Sequence, residues 1–332
     1  MAKGPKKNIV VIGGGTGTFT VLSGLKKYRA NLTAIVAMTD SGGSTGMLRD
    51  ELGVLPPGDV ARCIVALSTQ DRLMRELMDY RFEGGKLKGF RFGNLLLSAL
   101  EKTTGSFQSA VERASDILRT NGRVIPSTLD KVHLVAKVGK RIVRGEETIQ
   151  MTHLNGSMEY LWLEPVARAN PKALQAIREA DAIIIGPGGF YTSLITNLLV
   201  RGIPEAIRKS KAKKIFVCGL MTKAEHTRDY SVADYTRDIE KYLGGQLDTV
   251  IFNNKQPSKE LLKRYAREGD TLTSWNDVPE GREIIGANLL SQSDTKFQKI
   301  GTPSREASLV RHDSAKLARL IANLLKIEPI KK

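Results

Sequence analysis

Cysteine is scarce in this chain. Cys63 and Cys218 are the only two among 332 residues, neither stands in a C-x-x-C pair, and both lie in apolar stretches, ARCIVAL and IFVCGL. That excludes a disulfide framework and a structural zinc site, and it reads as two reduced core thiols in a cytoplasmic protein. His133, His153, His226 and His312 are scattered and form no H-E-x-x-H or similar group. No apolar run reaches the roughly 18 residues that a spanning helix needs. The basic amino terminus runs into an apolar stretch that glycines interrupt from Gly13 to Gly17, so no signal peptide is expected. Aromatic residues make up 6%, and no nucleic-acid signature interleaves with the basic runs, so nucleic acid is not an expected partner. Ser-His-Asp sets, catalytic-cysteine signatures and clustered His/carboxylate sets are also missing, so the sequence nominates no catalytic residue.

Positive charge is abundant. There are 51 Lys and Arg against 35 Asp and Glu, a net charge of +16. Such a balance favours anionic partners, nucleotides among them, or else reads as a solvated basic surface. The densest runs are Lys3–Lys7, Arg208–Lys214 and Lys331-Lys332. The ends, 1–6 and 328–332, are expected to be flexible and basic. Residues 7–327 read as a single unit, with length enough for a substantial core.

One pattern recurs: an apolar run, a small or polar loop, then a helical stretch. NIVVIGGGTGT, LTAIVAMTDSGGSTG, AIIIGPGGFYTS, KKIFVCGLMTKAEHT and DTVIFNNKQPS all begin such units. The expected fold is therefore α/β, a Rossmann-like and mostly parallel sheet with helices on both faces. A mostly helical insert is expected over 57–118. TLDKVHLVAKVGKRIVRGEETIQM reads as a hairpin, placed as an edge pair on the sheet. GREIIGANLL to ASLVRHD reads as another pair of short strands, followed by a closing helix over 314–326. In an open parallel sheet ligands bind beyond the carboxyl ends of the strands, where all these loops lie.

The first loop fits neither the dinucleotide fingerprint nor the Walker A pattern. Gly13 and Gly15 suit G-x-G-x-x-G, but the third glycine position is Thr18, and no Gly-Lys-Ser/Thr follows. What remains is general. Gly13, Gly14, Gly15 and Gly17 let backbone amides approach an anion at a helix start, with Thr16 and Thr18 as hydroxyl donors, or else they form a tight strand–helix turn. The second loop, Asp40-Ser41-Gly42-Gly43-Ser44, can lie beside the first and help to enclose a diphosphate. Asp40 reads as a partner for a ribose hydroxyl, a metal ligand, a base or a helix cap. In the third loop, Gly188-Gly189-Phe190-Tyr191, the aromatics read as a stacking platform or as packing beneath the loop. Asn253 offers mixed donors and acceptors for a uracil edge, or forms a turn. Asp59 and Asn94 each read as a helix-start residue or as one facing the crevice. Ser314 reads as a helix cap or a phosphorylation site.

Five ordered blocks are spread along the chain from Val10 to Ser314: VVIGGGTGTFTVLSGLK, TDSGGSTGMLRDELGVLPPGDVARCIVAL, FRFGNLLLSAL, IIIGPGGFYTSLITNLLVRGI and LVRHDS. Together they resemble the YvcK-type gluconeogenesis factors, in a superfamily with the phospholactate transferase CofD. The resemblance implies a Rossmann-like fold and a regulatory protein that binds UDP-N-acetylglucosamine or a related UDP-sugar. It implies a part in growth and cell shape on gluconeogenic carbon sources, with cell-wall synthesis proteins as partners and no required cofactor. The transferase branch implies an alternative: a nucleotide-activated donor, magnesium and transfer of a phospholactyl group. The resemblance places diphosphate contacts at Gly13 to Thr18 and Gly42 to Ser44, and nucleotide-sugar contacts at Gly188 to Tyr191. It matches Tyr265 and Arg311 to an aromatic and an arginine of UDP-sugar binding. Ser41 stands where the family commonly has a second aspartate, which speaks against a two-carboxylate magnesium site. Oligomeric state is left open, a homo-oligomer included.

Overall fold

The computed structural model describes residues 5–152, 160–291 and 310–330. Its strands are β1 (Lys7–Gly13), β2 (Ala30–Val36), β3 (Arg123–Pro126), β4 (His133–Val138), β5 (Arg141–Arg144), β6 (Tyr160–Glu164), β7 (Ala182–Ile185), β8 (Lys213–Val217), β9 (Thr249–Asn253) and β10 (Glu283–Ala287). Seven of them form a sheet in the order β10-β9-β8-β7-β1-β2-β3. Every pairing in that sheet is parallel.

The central strands are apolar throughout because both faces are covered. Along β1, Ile9 and Val11 enter one core and Val10 and Ile12 the other, as the two-residue period of a strand requires. The first core is closed by α1 (Thr16–Leu25), α3 (Gly58–Leu67), α6 (Phe107–Ile117) and α13 (Ser314–Leu324). The second is closed by α8 (Pro171–Arg178), α10 (Ile203–Lys209) and α11 (Val232–Leu243). The remaining helices are α2 (Gly43–Leu52), α4 (Arg72–Asp79), α5 (Phe92–Thr104), α7 (Glu146–Met151), α9 (Thr196–Leu198) and α12 (Lys259–Arg267). Helices α2 to α6 all fall between β2 and β3, so the helical stretch is the crossover joining those two parallel strands.

Two expectations are corrected. The β4–β5 hairpin is not an edge pair on the main sheet; with β6 it forms a separate antiparallel sheet in the order β5-β4-β6. That sheet lends Leu134, Ala136, Leu161 and Leu163 to the second core, so packing rather than edge pairing holds it. Of the second expected strand pair, β10 and an antiparallel bridge between Leu290 and His312 are seen; residues 292–309 lie outside those described. The carboxyl end is not loose over 328–330. Arg29 N–H donates to the Glu328 carbonyl at 2.8 Å and Ile330 N–H to the Lys27 carbonyl at 2.8 Å.

Helix α13 seats its first turn directly on α1. A Cβ built on Gly24 runs into the Ser314 carbonyl oxygen, and the Ser314 hydroxyl donates to the Thr20 carbonyl at 2.7 Å. Gly24→Ala therefore forces the helices apart and is expected to lower unfolding stability by about 1–3 kcal/mol in denaturant melts. Gly84, whose Cβ would meet no heavy atom within 4 Å, is the control. Gly84→Ala is expected to stay within about 0.5 kcal/mol of wild type. Equal losses at the two positions would refute the close α1–α13 contact.

Candidate functional site

The chain builds outward from β1 in both directions: β2 and β3 lie on one side, β7 and its successors on the other. The loops leaving β1 and β7 both lie at the carboxyl edge of the sheet, where open parallel sheets bind their ligands. Loop 1 (13–18) lies against loop 3 (186–193): a Cβ on Gly17 would overlap the Pro187 carbonyl, backbone against backbone. Loop 2 (40–46) follows the neighbouring strand, with Ala37 N–H donating to the Gly13 carbonyl at 2.9 Å. Ser193 Oγ and Asp59 Oδ2 both crowd the place of a Gly14 Cβ, the latter at 2.6 Å. Loops 1 and 3 are thus in contact, and loop 2 leaves the adjacent strand at the same sheet edge.

Two carboxyl groups lie at this edge. Asp40 Oδ1 accepts the Gly42 N–H at 3.0 Å. Its Oδ2 and the Thr45 hydroxyl are each 2.6 Å from the Cβ position of Gly58. Asp59 occupies the first turn of α3, whose N-cap is Pro57, so it is not the cap. Its side chain turns onto loop 1 instead, at Gly14 and Gly15. Burial pushes Asp59 up to about 7, and the Asp40 carboxylate adds to the rise; Arg62 and the Gly15 amide oppose it. Burial also raises Asp40, against the pull of the Gly42 amide, the Thr45 hydroxyl and Arg62. Ser41 leaves loop 2 with one carboxylate, Asp40, and the neighbouring carboxyl that feels its charge comes from Asp59 at the start of α3.

Arginines surround this pair. Arg62, one turn beyond Asp59 on α3, donates from Nη1 to the Thr16 hydroxyl at 2.7 Å, and its Cδ lies 2.9 Å from the Cβ position of Gly15. Arg91, at the entry to α5, pairs with Asp79 at 3.5 Å. Burial and then the charge of Arg62 push Arg91 down to about 10. Burial lowers Arg311 too, and Arg62 again adds to the effect. Arg62 is therefore close enough to both Arg91 and Arg311 for its charge to oppose theirs. Among the described residues, Thr18 Oγ1, Thr39 Oγ1, Asn94 Oδ1 and Arg91 Nε are among nine buried side-chain atoms with no hydrogen-bond partner, and such atoms cost free energy.

The family model of 2-phospho-L-lactate transferase CofD matches residues 9–292. The chain belongs to the CofD family. A Thermotoga maritima member is 43% identical over 320 residues, spanning 95% of this chain and 98% of its own length. The gluconeogenesis factor of Bacillus subtilis is 36% identical over 330 residues, spanning 97% and 99%. The crystal structure of a UPF0052-family protein from Bacillus halodurans superposes with a TM-score of 0.87 at 34% identity, covering 96% of this chain and 99% of that one.

Within this CofD-family crevice some expected residues face inward. Tyr191 is buried in the second core, and its hydroxyl donates to Asp238 Oδ2 at 2.8 Å. Phe190 packs edge-on against Tyr191 and Tyr235. Residues 190–195 form a π-helix, and the pair braces that turn rather than offering a stacking face. Asn253 is spent locally: its Nδ2 donates to the Lys255 carbonyl at 2.6 Å and its Oδ1 accepts the Leu289 N–H at 3.1 Å. Tyr265 is 5% exposed and packs with Leu220 and Val310. Its hydroxyl accepts the Val310 N–H at 3.0 Å, so it anchors the segment leading to Arg311 and presents no open ring. Ser41 Oγ accepts the Glu147 N–H at 3.1 Å, and Ser44 is buried. Asn94 Nδ2 reaches the Thr45 hydroxyl at 3.4 Å, joining loop 2 to α5. Asp313, not Ser314, caps α13. Arg62 and Arg91 were not legible as site residues; their only signal was a place beside Asp59 and Asn94 in the quoted blocks.

The raised Asp59 carboxyl carries a stability signature. Its folded pKa of about 7 lies above the ordinary aspartate value of 3.8, so the folded state holds a proton that the unfolded state has released between those values. Stability accordingly falls as pH rises through that window, by at most about 1.4 kcal/mol per pH unit. Asp59→Asn is expected to flatten the fall and to raise stability at pH 8 relative to wild type. Denaturant titrations from pH 4 to 8 test this; parallel curves for the two proteins would rule it out.

Proposed function

We propose that this chain is a regulatory nucleotide-sugar-binding protein of the gluconeogenesis-factor type, working in the bacterial cytoplasm with UDP-N-acetylglucosamine or a related UDP-sugar as its ligand. The observation that carries the reading is the meeting of three glycine loops and three arginines at the switch point of the sheet. Helix α1 begins there with no acidic residue in its first turn and no side-chain cap, which suits an anion. The Bacillus subtilis relative, matched over nearly its full length, bears the gluconeogenesis-factor name. A part in cell shape, through cell-wall synthesis proteins, belongs to the same proposal.

A second reading has an observation of its own. Asp40 lies beside the Thr45 hydroxyl at Gly58, and the next residue, Asp59, feels its charge; together they offer hard oxygen donors. Magnesium is commonly held by one or two carboxylates together with substrate phosphates. The pair fits such an ion, although no group of three or more His, Cys, Asp or Glu residues gathers as a metal site among the described residues. With magnesium and a nucleotide-activated donor, this arrangement supports a phospholactyl-type transferase. Incubation with donor, deazaflavin acceptor and magnesium distinguishes the two: transferred product favours the transferase.

A ligand that binds only the folded state stabilises it by mass action, by about 2.7 kcal/mol at a hundred times its Kd. Millimolar UDP-N-acetylglucosamine is therefore expected to raise the melting temperature by several degrees. Arg311→Ala is expected to weaken binding at least tenfold by calorimetry. An unmoved melting temperature in wild type removes the ligand, and an unchanged Kd in the variant removes Arg311 from the site.

A further inference from the structure

We infer that Arg62 is the residue by which this crevice selects a diphosphate over a monophosphate. The inference rests on the anion-binding reading above and names the group that does the selecting.

Loop 1 cannot supply this selectivity with main-chain amides alone. The Asp59 carboxyl already faces Gly14 and Gly15 and engages the Gly15 amide. The first-turn amides of α1 remain, and they suit one phosphate group. A second phosphate needs cationic side chains. Arg62 is placed for it: its stem crosses Gly15 and its head reaches Thr16. Asp40 and Asp59 both feel its charge, yet it forms no salt bridge with either, and the Thr16 hydroxyl is its one hydrogen-bond partner among the described residues. A guanidinium carries five donors, so most remain for a ligand.

The neighbouring cations point the same way. Arg91 and Arg311 both lie within the field of Arg62, from the entry to α5 and from the segment before α13. Three distant stretches of chain thus bring cationic groups near Arg62, and a polyanionic ligand beside Arg62 is drawn by all three charges. Arg62 is the common neighbour of the other two, and it alone of the three touches loop 1. Its planar fork can bridge adjacent phosphate oxygens, which a lysine ammonium cannot do in the same way. Arg62 is therefore a specificity-determining residue.

Isothermal titration with inorganic pyrophosphate, UDP and UMP tests this on wild type, Arg62→Ala and Arg62→Lys, with thermal melts to confirm folding. Wild type is expected to bind UDP at least tenfold more tightly than UMP. In Arg62→Ala the affinities for UDP and pyrophosphate are expected to fall at least tenfold while UMP changes less than threefold, so the preference collapses. Arg62→Lys is expected to fall between the two. A folded Arg62→Ala protein that keeps the wild-type UDP-to-UMP ratio overturns the inference and leaves the UDP-sugar reading standing. Selective pyrophosphate binding that depends on Arg62, without any UDP-N-acetylglucosamine binding, upholds the inference and overturns that reading. A wild-type protein that binds neither pyrophosphate nor UDP overturns both.

Discussion

The backbone of Gly17 lies against the carbonyl of Pro187 with no room for a side chain between them. This contact brings loop 1, at the first turn of α1, onto loop 3 at the exit of β7. The pairing of β1 with both β2 and β7 makes it unavoidable, because parallel neighbours deliver their carboxyl ends to the same edge. Every other feature of the crevice is placed relative to this seam. Asp59 reaches loop 1 because α3 packs on α1 in the first core, and the π-helix of loop 3 sets Ser193 beside Gly14.

Electrostatics then decide what such a crevice can hold. Two carboxyls are drawn away from water and against each other, and both resist ionisation. Three arginines stand around them, and burial disfavours the charge on two, Arg91 and Arg311. A cavity of this kind is poorly satisfied by itself, as the orphaned atoms of Thr18, Thr39, Asn94 and Arg91 show. An anionic guest with several oxygens relieves both the repulsion among arginines and the missing hydrogen bonds.

The aromatic residues around loop 3 show how context alters a local reading. From sequence, Phe190 and Tyr191 could stack on a ligand or pack beneath the loop. The structure turns Tyr191 inward, where Asp238 and Tyr230 bind its hydroxyl and burial raises its pKa. Asp238 sits on α11, forty-seven positions further along the chain, and nothing near Tyr191 in sequence announces it. Tyr265 is likewise claimed by Val310, and Asn253 by Lys255 and Leu289. Each of these polar side chains is buried, and a buried donor or acceptor takes whichever partner the fold supplies.

The sequence by itself determined the α/β class, the strands flanking each glycine loop and the convergence of those loops on one edge. These follow from local periodicity and from the handedness of βαβ connections, which need only neighbouring residues. Tertiary structure alone decided that Asp59 meets Asp40, that Arg62, Arg91 and Arg311 share a field, and that the β4–β5 hairpin joins β6 rather than the main sheet. Those outcomes depend on which helix face packs against which strand, and hence on contacts between residues distant along the chain. Burial, which sets the charge of each group, exists only once the layers have closed.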